Sequence, residues 1–435
     1  MEVAALAVSL SVDAVWVMLC AILVIFMQAG FVLLETGSTR MKNAGHVAGK
    51  QLLSFSVAAL AFWAVGYGFT FGEGNTWIGL EGFFLKLPTD PKSIPLEVSF
   101  LFQLSFVAVS LAIAWGGFAE RAKLSVYVIF GALYTVLIYP AVGHWVWGAG
   151  WLHELGKQDF AGSTVVHLQG AVAAFVATVM LGPRIGKFNK NGTPNLLPGH
   201  NQVYTVLGVL IIWLGWFGFN PGSTLTAKDG FFGFVALTTN LAAAAGSLTA
   251  LVTVRVMTGK ADVTMMLNGV LAALVAITAS CAFVEPWAAV VIGGVAGSLA
   301  VFAAYSFERK GIDDPIYACS VHGVAGIWGT LSTGIFASPR LVEKVGIGGP
   351  GLLYGGGLKQ LGVQALGVTA ALLYVAVVSF VILWVMKKAI GLRVTEEEEV
   401  MGLDLSEHGA YGYPEQLQPP KGAIGEPLAD TGTES

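Results

Sequence analysis

Charge is what this sequence has least of. Only 11% of its 435 residues are Asp, Glu, Lys or Arg, against about 25% in soluble domains, and that excludes an ordinary water-soluble chain. Cysteine is scarce too. Cys20, Cys281 and Cys319 are scattered through apolar segments, too few for a disulfide framework or a zinc site, and read as small core residues. No polar linker divides the chain before residue 390, so a length that would suit about three soluble domains reads as one bundle. The N-terminus lacks the basic region of a secretory signal, so the first helix is expected to be a true span. The glycine-rich run at 346–357 lacks a P-loop lysine, which argues against nucleotide binding. No metal, cofactor or nucleic acid is expected.

What the chain does have is apolar length. Hydrophobic residues make up 55% of it and its mean hydropathy is +0.72. Its 56 glycines suit closely packed membrane helices. Eleven charge-free stretches are long enough to cross ~30 Å of hydrocarbon. They lie near 12–34, 51–72, 98–119, 124–143, 161–182, 202–220, 231–254, 264–284, 286–307, 316–337 and 361–386. Only Glu285-Pro286 separates the eighth from the ninth. The predicted fold class is therefore all-α, integral to the membrane, with eleven transmembrane helices. An odd number puts the termini on opposite sides. Alternate connections carry fifteen Lys and Arg on one side and seven on the other, which places the N-terminus outside and the C-terminus in the cytoplasm. Residues 1–393 form the predicted transmembrane domain. From 394 to 435 the composition shifts to ten acids and one base, an acidic cytoplasmic tail. Its Glu run reads first as a solvated segment and second as a docking segment. The stretch 395–415 suits a short helix and turn, and the last ~20 residues suit disorder.

One pattern occurs twice. DFAGSTVVHLQGA begins at Asp159 and DPIYACSVHGVAG at Asp314, and each has a histidine eight residues on, His167 and His322. A titratable group inside an apolar stretch is costly and usually functional. Asp159 opens the fifth span from outside and Asp314 the tenth from inside. The chain thus reads as an inverted five-plus-five repeat, about 12–182 and 202–337, with a final bracing helix at 361–386. Such repeats hold their sites near the midplane. Eight residues at ~1.5 Å each carry each histidine ~12 Å inward, so the two meet near the middle. Both rings are expected to be neutral and to share one hydrogen bond. Each aspartate suits a helix N-cap, with Pro315 in the first turn of the second helix. Asp159 would also keep an entrance negative.

Aromatics gather near several helix ends, among them Phe102, Phe106, Trp147, Trp216 and Phe219. Most suit interface belts or packing; a few facing an outer vestibule would bind a small cation through their π faces. A helix break is expected at Asn220-Pro221-Gly222, leaving Ser223 near the outer surface. His46, His144, His153, His200 and His408 read as loop or surface histidines, and Gln28 as an interhelical contact.

With these residues in view, the chain resembles the ammonium transporter family (Amt/Mep, related to Rhesus proteins) from about Asp13 to Glu407. The matching strings are MQAGFVLLETGSTRMKN (27–43), GGFAERAKL (116–124), DFAGSTVVH (159–167), GWFGFNPGS (215–223), DPIYACSVHGVAGIWGT (314–330) and GLDLSEHG (402–409). The resemblance implies a transporter in the cell membrane rather than an enzyme, and a homotrimer with one pore per subunit. It implies an outer ammonium-recruitment site of Trp147, Phe106 and Ser223 supported by Asp159, a Phe106–Phe219 gate, and a pore lined by twin His167 and His322. Asp314 would cap and anchor its helix. A PII-type signalling protein would dock on the cytoplasmic face. Some members carry an acid three residues after the second aspartate; here that position is Tyr317, and no role for such an acid carries over. The rival readings are a Rhesus-type gas channel, an ammonium sensor with little flux, and a membrane haem protein with His167 and His322 as axial ligands.

Overall fold

The computed structural model describes residues 2–88 and 93–414, the first few by backbone alone. Among the described residues, ten helices are long and apolar enough to cross a membrane: Ala7–Ser38, Met41–Phe71, Leu96–Trp115, Leu124–Glu154, Ser163–Leu181, Gln202–Thr224, Lys228–Thr258, Val263–Ser280, Pro286–Arg309 and Lys359–Ala389. The turn before Pro286 does separate the eighth from the ninth. The stretch expected at 316–337 is built differently. It starts as a π-helical turn, Cys319–Val324, and continues as the α-helix Ala325–Phe336. Its Ser, Thr, Gly and His322 make it less apolar than the other ten. Among the described residues there are no strands, only three isolated β-bridges.

The most extensive helix pairing is Glu2–Ser38 against Gln202–Phe219, the first helices of the two predicted halves. Glycine makes that crossing possible. A Cβ on Gly30 would lie 2.6 Å from the Ile212 side chain and 2.9 Å from the Gly208 carbonyl, and one on Gly208 would press on the Leu34 backbone. Small residues that bring backbones together are how apolar helices gain packing energy where lipid is as apolar as they are.

One end of the bundle is tied by charge. Arg184 pairs with both Glu120 and Asp313, and Arg40 adds a second guanidinium to Glu120 at 3.0 Å. These carboxylates are buried, which is tolerable only because each is paired and hydrogen-bonded. Burial alone would raise the Glu120 carboxyl, but Arg184 and Arg40 override it and hold it at about 2. Lys50, Gln51 and Glu35 form a further buried cluster inside the bundle. Gln28 makes no interhelical bond through its amide nitrogen, which is buried without a partner.

The acidic segment is folded onto this same end; Glu396 and Glu397 of its Glu run are exposed, as a solvated run would be, while Glu399 and Asp404 are buried. It forms helices Glu396–Met401 and Leu403–His408, the first closed by a Thr395–Glu398 capping box. Buried Glu399 takes the Arg393 guanidinium at 2.6 Å and the Ile185 N–H at 2.7 Å. Asp404 accepts the N–H groups of Gly45, at 3.0 Å, and His46, at 2.7 Å, where helix Ala44–Ala61 begins. A carboxylate at a helix N-terminus satisfies orphan donors and meets the positive end of the helix dipole. His46 is therefore no loop residue. It is buried, with Nδ1 3.1 Å from His408 Nε2. His144 is buried as well, in helix Tyr139–Trp147, against the Thr70 and Asn75 carbonyls. The disorder expected of the last ~20 residues falls outside the described residues.

Candidate functional site

At the opposite end of the bundle from the tail, a cavity of about 390 Å³ opens between Phe106, Trp147, His153, Lys157, Asp159 and Ser223. Four of the residues singled out by sequence, Phe106, Trp147, Asp159 and Ser223, line it. The Trp147 ring meets Phe106 edge-on, at 5.9 Å and 81°. Its indole N–H donates to the Asp159 carbonyl at 2.9 Å, which fixes the ring's orientation. Ser223 Oγ donates to the Phe219 carbonyl at 2.8 Å, so its lone pairs remain available to accept. Asn220-Pro221-Gly222 does end helix Gln202–Phe219, and the 3-10 turn Pro221–Thr224 turns Ser223 toward the cavity.

Beneath the cavity the rings of Phe106 and Phe219 stack, with centroids 4.1 Å apart and planes at 22°. Below them lies His167. Its ring stacks on Trp216 at 5.1 Å and 14°, and stands 5.6 Å from Phe219. Trp216 is held by its own bond to Thr278 Oγ1, 2.9 Å. The His167 and His322 rings are 5.3 Å apart and nearly parallel, and their Nδ1 atoms lie 3.2 Å apart. That is direct hydrogen-bond contact, with no room for a porphyrin between the rings, and the haem reading is set aside. His167 is fully buried and its Nε2 has no protein partner; His322 is 6% exposed.

The two histidines are presented by the same device. Each sits on a six-residue π turn, Ser163–Leu168 or Cys319–Val324, that leads into an α-helix. A single widened turn displaces a side chain from the regular helical register and is frequent at functional sites. Each turn is capped from a distance. Asp159 Oδ2 accepts the N–H groups of Thr164 and Val165, at 3.0 and 3.1 Å, and Asp314 Oδ2 those of Cys319 and Ser320, at 2.8 and 3.4 Å. Both aspartates cap five and six residues ahead and are not themselves at the N-cap position. Gly162 holds that place in the first motif. In the second, Pro315 lies in a turn before the helix and Tyr317 takes a left-handed φ of 62°. The chain between aspartate and helix is thus a folded turn, and the simple helical rise does not apply to it.

Two neighbours of the site escaped sequence reasoning. Trp216 was one aromatic among many, and only the structure shows it flat against His167. Lys157, in the connection before the first motif, is buried, with Nζ 3.7 Å from Asp159 Oδ2 and 3.0 Å from Thr164 Oγ1. Burial holds its ammonium below the usual lysine range, and the Asp159 carboxylate partly offsets that. Its signal was its position, two residues before the aspartate.

Residues 15–413 match the family model of the Ammonium Transporter Family. The chain is 44% identical to the ammonium transporter Amt2 of Archaeoglobus fulgidus over 419 residues, covering 93% of this chain and 89% of that one. It is 36% identical to an ammonium transporter of Bacillus subtilis, covering 93% and 99%. Among solved structures it resembles one named Sensor Amt Protein, with a TM-score of 0.88 and 38% identity over 94% of this chain and 100% of that one. It also resembles the crystal structure of Candida albicans Mep2, with a TM-score of 0.83 and 31% identity over 94% and 92%.

Proposed function

The chain belongs to the ammonium transporter family, a family of multi-pass membrane transporters and not of enzymes, and on that premise we propose that it moves ammonium or ammonia through the column that runs from the Trp147 cavity to the His167–His322 pair. The continuity of that column supports the reading. A cavity of about 390 Å³ lined in part by aromatic faces leads to a stacked phenylalanine pair and then to two hydrogen-bonded imidazoles. Ammonium is drawn to the Trp147 and Phe106 faces and donates a hydrogen bond to Ser223. A bare cation pays heavily to pass the apolar region below, whereas ammonia pays far less once its proton has passed to water in the cavity beside the Phe106–Phe219 gate; the ammonia and the proton then cross separately, so that net charge moves. Potassium has no proton to leave. The paired histidines offer polar contacts without a fixed charge.

The same proposal carries eleven spans, the cavity outside and the tail in the cytoplasm, with residues 1–393 as the transport domain and the segment from 394 as its tail. It carries the homotrimer and a PII-type partner on the tail face. Ammonium-evoked current in proteoliposomes tests it, wild type against His167→Ala and His322→Ala. Current that falls in both variants supports it. Ammonium uptake without any current favours the Rhesus-type gas channel. The likeness to a structure named Sensor Amt Protein supports a second reading, a sensor; an intact protein that carries no ammonium in liposomes would favour that one.

A further inference from the structure

Asp159 is the one carboxylate among the residues lining the outer cavity, and the chain sets a buried lysine against it. The Lys157 and Asp159 side chains are both fully buried, with Nζ and Oδ2 3.7 Å apart. Lys157 also donates to Thr164 Oγ1 at 3.0 Å, and that hydroxyl shares a 2.7 Å hydrogen bond with Thr330 Oγ1. Space is made for the lysine stem: a Cβ on Gly367, in helix Lys359–Ala389, would collide with Lys157 Cε and Cδ. Asp159 does not need Lys157 in order to cap, because two backbone N–H groups already reach Oδ2. A buried ammonium is costly, and none of the transport steps above uses it.

We propose that Lys157 sets the cation affinity of the outer cavity by cancelling the charge of Asp159. The inference rests on the transport reading above. With the pair intact, the floor of the cavity carries no net charge, and recruitment falls to the aromatic faces and the Ser223 oxygen. Without the lysine, an uncompensated carboxylate lies under the cavity in a setting that screens it little. Lys157 is thus a specificity-determining residue, acting on the cation through Asp159. It trades affinity for release.

The experiment compares half-saturating ammonium concentration and maximum current in proteoliposomes for wild type, Lys157→Met and Lys157→Arg. The Met variant is expected to lower the half-saturating concentration by roughly three- to tenfold, with a smaller change in maximum current, and the Arg variant to track wild type. A Met variant with wild-type half-saturation overturns the inference, as does an equal change in the Arg variant. Where the Met variant does not fold, Lys157→Gln, whose amide still reaches Thr164, serves in its place under the same criteria. If wild type itself passes no current and no ammonium, the transport reading falls. The inference is then decided by methylammonium binding to detergent-solubilised protein, where the Met variant must bind tighter than wild type.

Discussion

His167 and His322 meet through like atoms, Nδ1 to Nδ1, at 3.2 Å. One ring must then donate and the other accept, which fixes complementary tautomers. The donor ring carries a bare Nε2, and the acceptor ring carries Nε2–H. The path beside the pair therefore presents one acceptor and one donor, and exchanging their order takes two proton moves, the shared hydrogen between the Nδ1 atoms and one lost from the acceptor ring's Nε2 as one is gained at the donor ring's. Removing either imidazole strands the other's Nδ1 in an apolar setting. A neutral hydrogen bond is worth about 1 kcal/mol net, so His167→Ala or His322→Ala should cut ammonium current by roughly fivefold, the factor that about 1 kcal/mol of barrier produces. Wild-type current in both variants would remove the pair from the conduction path.

The Phe106–Phe219 stack makes a separate prediction. Ring centroids 4.1 Å apart leave no gap for water, and a stacked pair is worth about 1 kcal/mol beyond its buried area. Phe219→Ala removes one plate and also a ring that stands beside His167. Hydrated cations should then reach the histidines, so selectivity for ammonium over potassium should fall. The measurement is reversal potential under mixed ammonium and potassium gradients. An unchanged ratio in a well-folded variant would mean that the filter lies elsewhere.

The histidine pairing was readable from sequence because one pattern occurs twice, with a histidine eight residues after each aspartate, in segments expected to run in opposite directions. The π turns that carry the rings were not. Nothing in STVVHL or CSVHGV marks a widened turn, which comes from the fit between segments. The tail was half readable. Its acids read as a solvated run, because burying Glu399 and Asp404 makes sense only once Arg393 and the N–H groups of Gly45 and His46 are found waiting for them. Nothing in the sequence marks Lys157 as buried either: charge in a connection suggests solvent, and its burial against Asp159 is a tertiary fact.

Gly162 connects the first motif to the cavity. Its φ of 111° lies in the left-handed half of backbone space, and a Cβ there would come within 2.7 Å of Val166 and 3.0 Å of the Trp147 ring. Gly162→Ala is therefore strained in its backbone, at a cost of order 1–3 kcal/mol, and also pushes Trp147 off the cavity wall. The expected outcome is weaker ammonium half-saturation, and because Gly162 also caps the turn that carries His167, maximum current should fall with it. A variant that loses selectivity while keeping half-saturation would contradict the assignment of Trp147 to recruitment.

The Glu120–Arg184–Asp313 cluster predicts how stability depends on pH. Burial opposes ionisation of Glu120, yet Arg184 and Arg40 hold its carboxyl at about 2 in the folded chain, against an ordinary 4.5. The folded state therefore binds its proton less readily than the unfolded state does. The stabilisation is fully present above the ordinary carboxylate range and is lost as pH falls from about 5 toward 2. Its size is about 3 kcal/mol at neutral pH by linkage. Glu120→Gln removes this acid-sensitive part and leaves Arg184 to Asp313 alone, at 2.9 Å. Breaking one side of a buried pair costs about 3–5 kcal/mol, so the variant should melt lower at pH 7. The gap from wild type should narrow as pH falls, because wild type loses below pH 5 what the variant never had. Thermal unfolding of the detergent-solubilised protein from pH 7 to pH 3 measures it. A constant gap across that range would mean that Glu120 acts through shape and hydrogen bonding rather than through its charge.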